Sequence, residues 1–475
     1  MASFFTIGEV KTRPGVYYRY ENTGTPPVAG ADNGKVCAIF RSNWGPVGEV
    51  KTLEGYNEIA NIYGDGGESG TTVVPLNAFK GGATIVHAIR LGSGGTNASY
   101  DIMDTDETPK AVVRLTMKYP GTRAFTVTIR PTAVDATMTE LLLCEGTQEI
   151  EKLEFSNADN SVAALMAAFA ENGSDYFNLT KVADSEEALK TVTQAPITGG
   201  TDPTVTNAAY DAAFELAEPY RFNVMAIDTD EPAVHALLQL YLSRVYQDGK
   251  FAMAAVGEPS TVAFDTRLSH AKALNDYKII YVGNGYTDTT GETHEGYKAA
   301  AYIAGLVAGT PSNESITHTA ITGAVELTEK LTNSQYEKAI KAGMLTFSTS
   351  AADVVWVEQG INTLVTLGAK EDEGWKKIKR TKVRFELFQR INDTVEPLVG
   401  KVNNDPDGRA TIIKLSNGVC NTMVAEKKLL TGAQVTLDTN NPPAGDSAWF
   451  VVQADDIDAL EKLYYAFKFR FAPES

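Results

Sequence analysis

Cysteine, histidine and positive charge are all scarce in this sequence, and each shortage closes off a class of protein. Three cysteines in 475 residues, Cys37, Cys144 and Cys420, stand far apart with no CxxC pair. That count argues against a disulfide framework and against a zinc ribbon. Cys37 falls in the apolar run VCAIF, where it reads as a small buried hydrophobe. The five histidines, His87, His235, His270, His294 and His318, include no HExxH pair, and no GxSxG elbow presents a nucleophilic serine. His87 alternates within a strand-like run and reads as structural. No apolar run approaches the roughly 20 residues that span a bilayer. The opening MASFFTIGEVKTRPG lacks a basic region followed by an apolar one, so cytoplasmic synthesis and assembly are expected. Basic residues number 42 against 60 acidic, leaving a formal net charge of -18. Such a surface repels phosphate backbones, and no direct nucleic-acid binding is expected. The densest basic run, Lys376, Lys377, Lys379, Arg380, Lys382 and Arg384, has no interleaved aromatics and reads as a solvated or subunit-contacting face.

What is present is the composition of a folded chain, 43% hydrophobic and 21% charged, too long for one ordinary core. Residues 1–25 read as an extended arm. Arg13-Pro14-Gly15 turns into the strand-like Val16, Tyr17, Tyr18 and Tyr20, and Gly24, Pro26, Pro27 and Gly30 then break any regular element. Residues 26–91 and 205–367 alternate buried-strand runs (VCAIF, TIVHAIRL, FNVMAID, FAMAAVG, KIIYVGN) with helical patterns. This predicts a discontinuous α/β core domain with a parallel or mixed sheet. The small-residue run YKAAAYIAGLVA predicts a helix that a neighbouring backbone can approach closely. Residues 92–204 change texture to β-rich, with AVVRLTMKY and AFTVTIRP around a Pro120-Gly121 turn. The glycine-rich runs GSGGTN and ITGGTDPT bracket them as flexible junctions, which suggests a domain inserted into a loop. Residues 368–464 predict an α+β C-terminal domain with helices near 376–392 and 408–428, and a short helical pattern at Ile457, Leu460, Leu463 and Tyr464. Residues 465–475 form a second arm, in which Phe467-Lys468-Phe469-Arg470-Phe471 alternates with period two, a strand with no partner of its own.

Candidate chemistry is thin. GADNGKV at 30–36 falls one residue short of a P-loop and puts Val36 where Ser or Thr would hold magnesium. GDGGESG at 64–70 comes after a helix, so it is no dinucleotide fingerprint. Asn403, Asp405, Asp407 and Gly408 match the start of an EF-hand loop, but Lys414 stands in the place of the closing Glu, and an Asx turn explains the cluster. Asp228, Asp230 and Glu231 lie where a strand becomes a helix and suit the helix dipole. No catalytic residue, cofactor or metal site is therefore predicted.

Several motifs do resemble one family, that of contractile tail sheath proteins of phages and phage-like bacteriocins. They are the arm KTRPGVYYRY, the turn and helix NWGPVGEVKTLEGYNEI, the strand ending in arginine FKGGATIVHAIRLG, the turn YPGTRAFTVTI, the helix and loop YKAAAYIAGLVAGTPSNESITHTAI, and the C-terminal stretches VGKVNNDPDGRATI and DDIDALEKLYYAFKFRF. Seven motifs in the expected order span nearly the whole chain, in the manner of the shorter, phage-like sheaths.

The resemblance implies a subtilisin-like core, although no Gly-Thr-Ser nucleophile motif accompanies it, so the fold implies no activity. It also implies a virion structural protein, not an enzyme, that polymerises on itself as stacked hexameric rings around a tail tube protein. Baseplate and tail terminator proteins would be its other partners, with no membrane partner, in a virion tail or phage-like particle assembled in the host bacterial cytoplasm. The expected inter-subunit contacts are Val16, Tyr17, Tyr18, Tyr20, Phe467, Phe469 and Phe471, acting by strand addition to neighbouring sheets. The alternatives are an α/β hydrolase-like enzyme with an appended binding domain, and a secreted surface-layer protein.

Overall fold

Runs such as VCAIF and MAAVG are apolar at every position, which suits strands covered on both faces, and a seven-stranded sheet is what they build. The computed structural model describes residues 33–67, 70–156 and 160–470, together with the backbone of two short strands, Ser3–Phe4 and Tyr17–Tyr18. The chain divides into two units, one of residues 32–385 and 458–475, the other of residues 1–31 and 386–457.

The larger unit is organised on the sheet, in the order Met344–Leu345, Ile279–Val282, Met253–Gly257, Val224–Ile227, Lys35–Phe40, Ile85–Arg90 and Val50–Leu53. All neighbours pair in parallel except the last strand, which runs antiparallel at the edge. One face of the sheet packs Cys37, Ile39, Met225 and Tyr281 against Tyr210, Phe214, Leu238 and Tyr241 of the helices Asn207–Ala217 and Pro232–Gln247. The helix Tyr297–Gly309 is buried from Ala299 to Ala308, and it crosses the helix Val73–Gly81 at glycines. A Cβ on Gly305 would sit 2.0 Å from the Ala78 carbonyl oxygen, and one on Gly81 2.2 Å from that of Tyr302. The close backbone approach expected of the small-residue helix is thus present, and larger residues would prevent it.

Residues 97–196 build two antiparallel sheets. The four-stranded one runs in the order Gln148–Ser156, Met138–Glu145, Thr126–Pro131, Val192–Pro196, and the three-stranded one in the order Phe177–Lys181, Ala111–Pro120, Asn97–Met103. Their shared core includes Leu115, Val127, Leu141 and Leu165 of the helix Ser161–Asn172. Two side chains tie this region to the parallel sheet. Trp44 stacks on Tyr176 with centroids 5.2 Å apart. Arg90, 1% exposed, donates to the carbonyls of Ser42, Gly45 and Pro120 at 2.7–2.9 Å. Burial lowers this guanidinium's pKa to about 10. The two glycine-rich junctions are not the free linkers expected. They bridge each other at Ser93–Thr204 and Thr96–Thr201, and Ser99 of the adjoining strand bridges Thr198, so that backbone groups of the two segments satisfy one another.

In the smaller unit the helix Pro406–Ala425 starts where Asp405 accepts from the Gly408 N–H at 2.7 Å, so the acidic cluster there is a helix cap with proline at its first position. The unit also holds residues 386–395 of the helix Ile378–Val395. On that stretch Arg390, 3% exposed at its side chain, bonds Glu386 and Glu426, and Lys428 completes a buried ion-pair network. A two-stranded ribbon, Gln434–Leu437 with Phe450–Gln453, packs Val435 inward. Ser3–Phe4 pairs in parallel with Tyr17–Tyr18.

Candidate assembly interface

In an open α/β sheet the place for chemistry is the crevice at the carboxyl ends of strands where the strand order reverses. Here that place lies between Lys35–Phe40 and Val224–Ile227, and Asp228 fills it. Wholly buried, Asp228 accepts from Arg41 Nε at 2.7 Å, from the Thr71 hydroxyl at 2.5 Å and from the Tyr210 hydroxyl at 2.6 Å. Asp228 is therefore a core polar hub, not a dipole partner of the following helix. Asp230 turns away from its own helix to accept from the Tyr297 N–H at 2.6 Å, at the start of the small-residue helix. Burial pushes its pKa up to about 6 against that hydrogen bond, and Glu258, Glu231 and Glu295 push the same way.

The histidines are held in structural contacts. His87 touches the Thr52 hydroxyl and the Arg221 carbonyl, His235 the Thr229 carbonyl, and His318 stacks on Trp356. His270 pairs with Glu258 at 2.7 Å. Asp288, Glu292 and His294 bring three ligand-type atoms within 4.8 Å of one another. The Asn77 amide nitrogen, oriented by the Lys298 carbonyl, donates to His294 Nδ1, which leaves the ring proton on Nε2, donated to Asp288 at 3.0 Å. That tautomer offers a cation no lone pair on the side facing the carboxylates.

The basic run is drawn into contacts within the protein, contrary to its reading as a solvated face. Lys382 donates to the carbonyls of Val307 and Thr310 at the end of the small-residue helix. Arg384 pairs with Asp372 at 3.0 Å and lies over Trp375, and Lys376 pairs with Glu373. Lys377 reaches Asp458 at 3.0 Å and Glu461 at 2.9 Å. A cavity of about 410 Å³ opens beside these groups, and its lining includes Lys341, Lys376, Arg380, Glu373 and Asp458, with no histidine, cysteine or serine.

Glu461 is the best-held residue of the C-terminal segment. Its side chain is 8% exposed, and it accepts from Ser315 at 3.2 Å, Thr317 at 2.9 Å, Gln359 at 3.0 Å and Lys377 at 2.9 Å. Burial alone would raise its pKa, but the bonds from Lys377, Gln359 and Thr317 hold it below the usual carboxylate range. The helix expected over 457–464 is absent. One or two isolated turns gain little by themselves, and the contacts of Asp458 and Glu461 hold the segment in another path.

Past Glu461 every described residue is exposed. Tyr465, Phe467 and Phe469 are 75%, 78% and 93% exposed, and their rings lie in a row with centroids 6.3 and 6.4 Å apart. That spacing is about two residues of extended chain, roughly 6.6 Å, so the three aromatics share one face of a chain already stretched as a strand. Phe467 and Phe469 are thus brought together with Tyr465, which was not among the expected arm contacts although the same alternation includes it. Tyr17 and Tyr18 lie in the short strand beside Ser3–Phe4. Val16, Tyr20 and Phe471 lie outside the described residues, as do Arg13-Pro14-Gly15 and residues 24–30.

The ribbon of the smaller unit has one closed edge and one open one. The Asn417 side chain accepts from the Val435 N–H at 2.7 Å and donates to its carbonyl at 3.3 Å, sealing Gln434–Leu437. The ladder register, with Asp438 bonding Trp449, turns the main-chain groups of Phe450 and Val452 outward on the other edge. Trp449, Val451 and Val452 are 43%, 38% and 42% exposed there.

The described residues thus combine mixed α/β content with an exposed strand-like end and an open ribbon edge, and known proteins share this fold. Residues 204–363 match the family model described as the phage tail sheath protein central domain. The fold is shared with a sheath tail protein from Desulfitobacterium hafniense, at 22% identity over 93% of this chain and 100% of that one, with a TM-score of 0.71. It is shared more distantly with the helical sheath of the anti-feeding prophage in its contracted state, at 11% identity over 97% of this chain and 99% of that one, with a TM-score of 0.54. In sequence the chain is 26% identical to the phage-like element PBSX protein XkdK of Bacillus subtilis (strain 168), over 97% of this chain and 98% of that protein. The chain shares the fold of tail sheath proteins, and residues 204–363 match the central domain of that family, as its motifs had indicated. The solved structures that share its fold are sheath proteins.

Proposed function

We propose that the chain is the structural subunit of a contractile tail sheath. It polymerises around a tail tube by exchanging terminal strands between neighbours, and it contracts to drive the tube through a target envelope. The observation that carries this reading is the anchored, extended and exposed C-terminal segment, whose alternating aromatics present an unpaired strand. Strand addition to another copy would satisfy its main-chain groups and bury the aromatic face, with side-chain alternation fixing register. The outward edge of Phe450–Gln453 is the acceptor we favour, since Asn417 closes the other edge and a two-stranded ribbon is marginal alone. The N-terminal residues Val16, Tyr17, Tyr18 and Tyr20 would make the matching contact to another neighbour.

A contact between unlike surfaces that does not close on itself generates a helical polymer, here stacked hexameric rings. Contraction would be a rigid-body rearrangement, the strand links keeping subunits connected while new contacts form. The tube, baseplate and terminator proteins are the remaining partners, in a virion tail or phage-like particle assembled in the host cytoplasm. Light scattering and negative-stain microscopy of the purified chain at rising concentration test the reading. Rings or tubes are expected, and a monomer that persists to millimolar concentration contradicts it.

A further inference from the structure

We propose that Glu461 is the anchor that fixes where the C-terminal arm leaves the larger unit and which face of the arm carries its aromatics, and so the register in which a neighbouring copy receives it. The inference deepens the strand-exchange reading and rests on it. Four donors from three separate stretches, Ser315 and Thr317, Gln359, and Lys377, converge on one carboxylate, and Asp458 shares Lys377. That arrangement is over-built for a surface glutamate, and its position is informative: residues 462–470 are all exposed, so Glu461 is the last held residue before the arm.

Side chains alternate along an extended chain, so residues of odd number beyond Glu461 share its parity, and those include Tyr465, Phe467 and Phe469. A slip of one residue would present Tyr464, Lys468 and Arg470 instead, exchanging the aromatic face for a basic one. Holding Glu461 removes that freedom before a partner arrives. Losing it also lengthens the free tether to Phe467, which then runs from Asp458, about 9 residues against 6. The effective concentration of the arm at its acceptor would fall about twofold by the three-halves power of tether length.

The test uses the full chain with spin labels at Asn313→Cys and Lys468→Cys, both exposed, the three natural cysteines being buried. Electron–electron distance measurements on unpolymerised protein should give a narrow distribution that broadens at least twofold in Glu461→Ala. The exchanged pair Lys377→Glu with Glu461→Lys should restore it in part. In unlabelled protein the polymerisation midpoint should rise at least twofold for Glu461→Ala and for the milder Glu461→Gln, with the thermal unfolding of the monomer unchanged. An arm as narrow in Glu461→Ala as in the wild type overturns the anchor, and so does a broadened arm with an unchanged midpoint. Tubes that form without residues 467–475 would overturn the strand-exchange reading itself.

Discussion

Removing Phe467 to Ser475 should leave the folded chain almost untouched and abolish its assembly. Phe467 and Phe469 are 78% and 93% exposed and take no part in either hydrophobic core. Truncation therefore removes little native burial, and the cost to the monomer is within about 0.5 kcal/mol. In the polymer the same residues would bury two phenylalanines at about 2 kcal/mol each and add about four main-chain hydrogen bonds at roughly 1 kcal/mol each. Ordering five residues opposes this by about 5 kcal/mol, less whatever the extended chain has already lost. The net is about 3 kcal/mol per arm, or about a hundredfold in the concentration at which polymer appears. Sedimentation with negative-stain imaging measures that concentration, and circular dichroism with thermal unfolding checks the fold. Tubes of normal length at the wild-type concentration would show that the arm does not drive assembly.

Three further outcomes rest on buried contacts. Arg90→Ala strands three backbone carbonyls at the junction with the β-rich region, and should cost about 4 kcal/mol. The readouts are a lower unfolding temperature and easier proteolytic cleavage near residues 92–96. Gly305→Ala forces a methyl group against the Ala78 carbonyl, where a Cβ would lie 2.0 Å away, so a loss of about 3 kcal/mol or insoluble expression is expected. Asp230 binds its proton more tightly when folded, since its pKa is raised to about 6. The stability it contributes is complete below its ordinary pKa of 3.8 and lost as the pH rises through 6. Asp230→Asn keeps an acceptor for the Tyr297 N–H, so it should gain about 2 kcal/mol over the wild type at pH 8 and nothing near pH 4. Parallel denaturation curves at the two pH values decide it.

Strands buried on both faces were legible because their sequences are unbroken apolar runs, and the Tyr297–Gly309 helix because small residues have little other use there. Pairing between distant segments was not legible. GSGGTN and ITGGTDPT each have the composition of a linker, and only their juxtaposition makes a hydrogen-bonded neck. The basic run likewise gives no sign that Lys382 caps a helix some 70 residues earlier or that Lys377 meets Glu461. Ile457, Leu460 and Leu463 carry helical spacing, but anchoring at Glu461 overrode a weak local preference. Of the expected arm residues, Phe467 and Phe469 were readable as one alternating face, because a period of two survives even where a strand has no partner.

A helical reconstruction of the polymer, taken to a resolution at which main-chain pairing is visible, tests strand exchange between subunits most directly. Residues 465–471 should pair as a strand with a neighbouring subunit, along the outward edge of Phe450–Gln453, with Glu461 still seated among Ser315, Thr317, Gln359 and Lys377. A polymer whose C-terminal segments fold back on their own subunits, or touch no sheet at all, would contradict strand exchange.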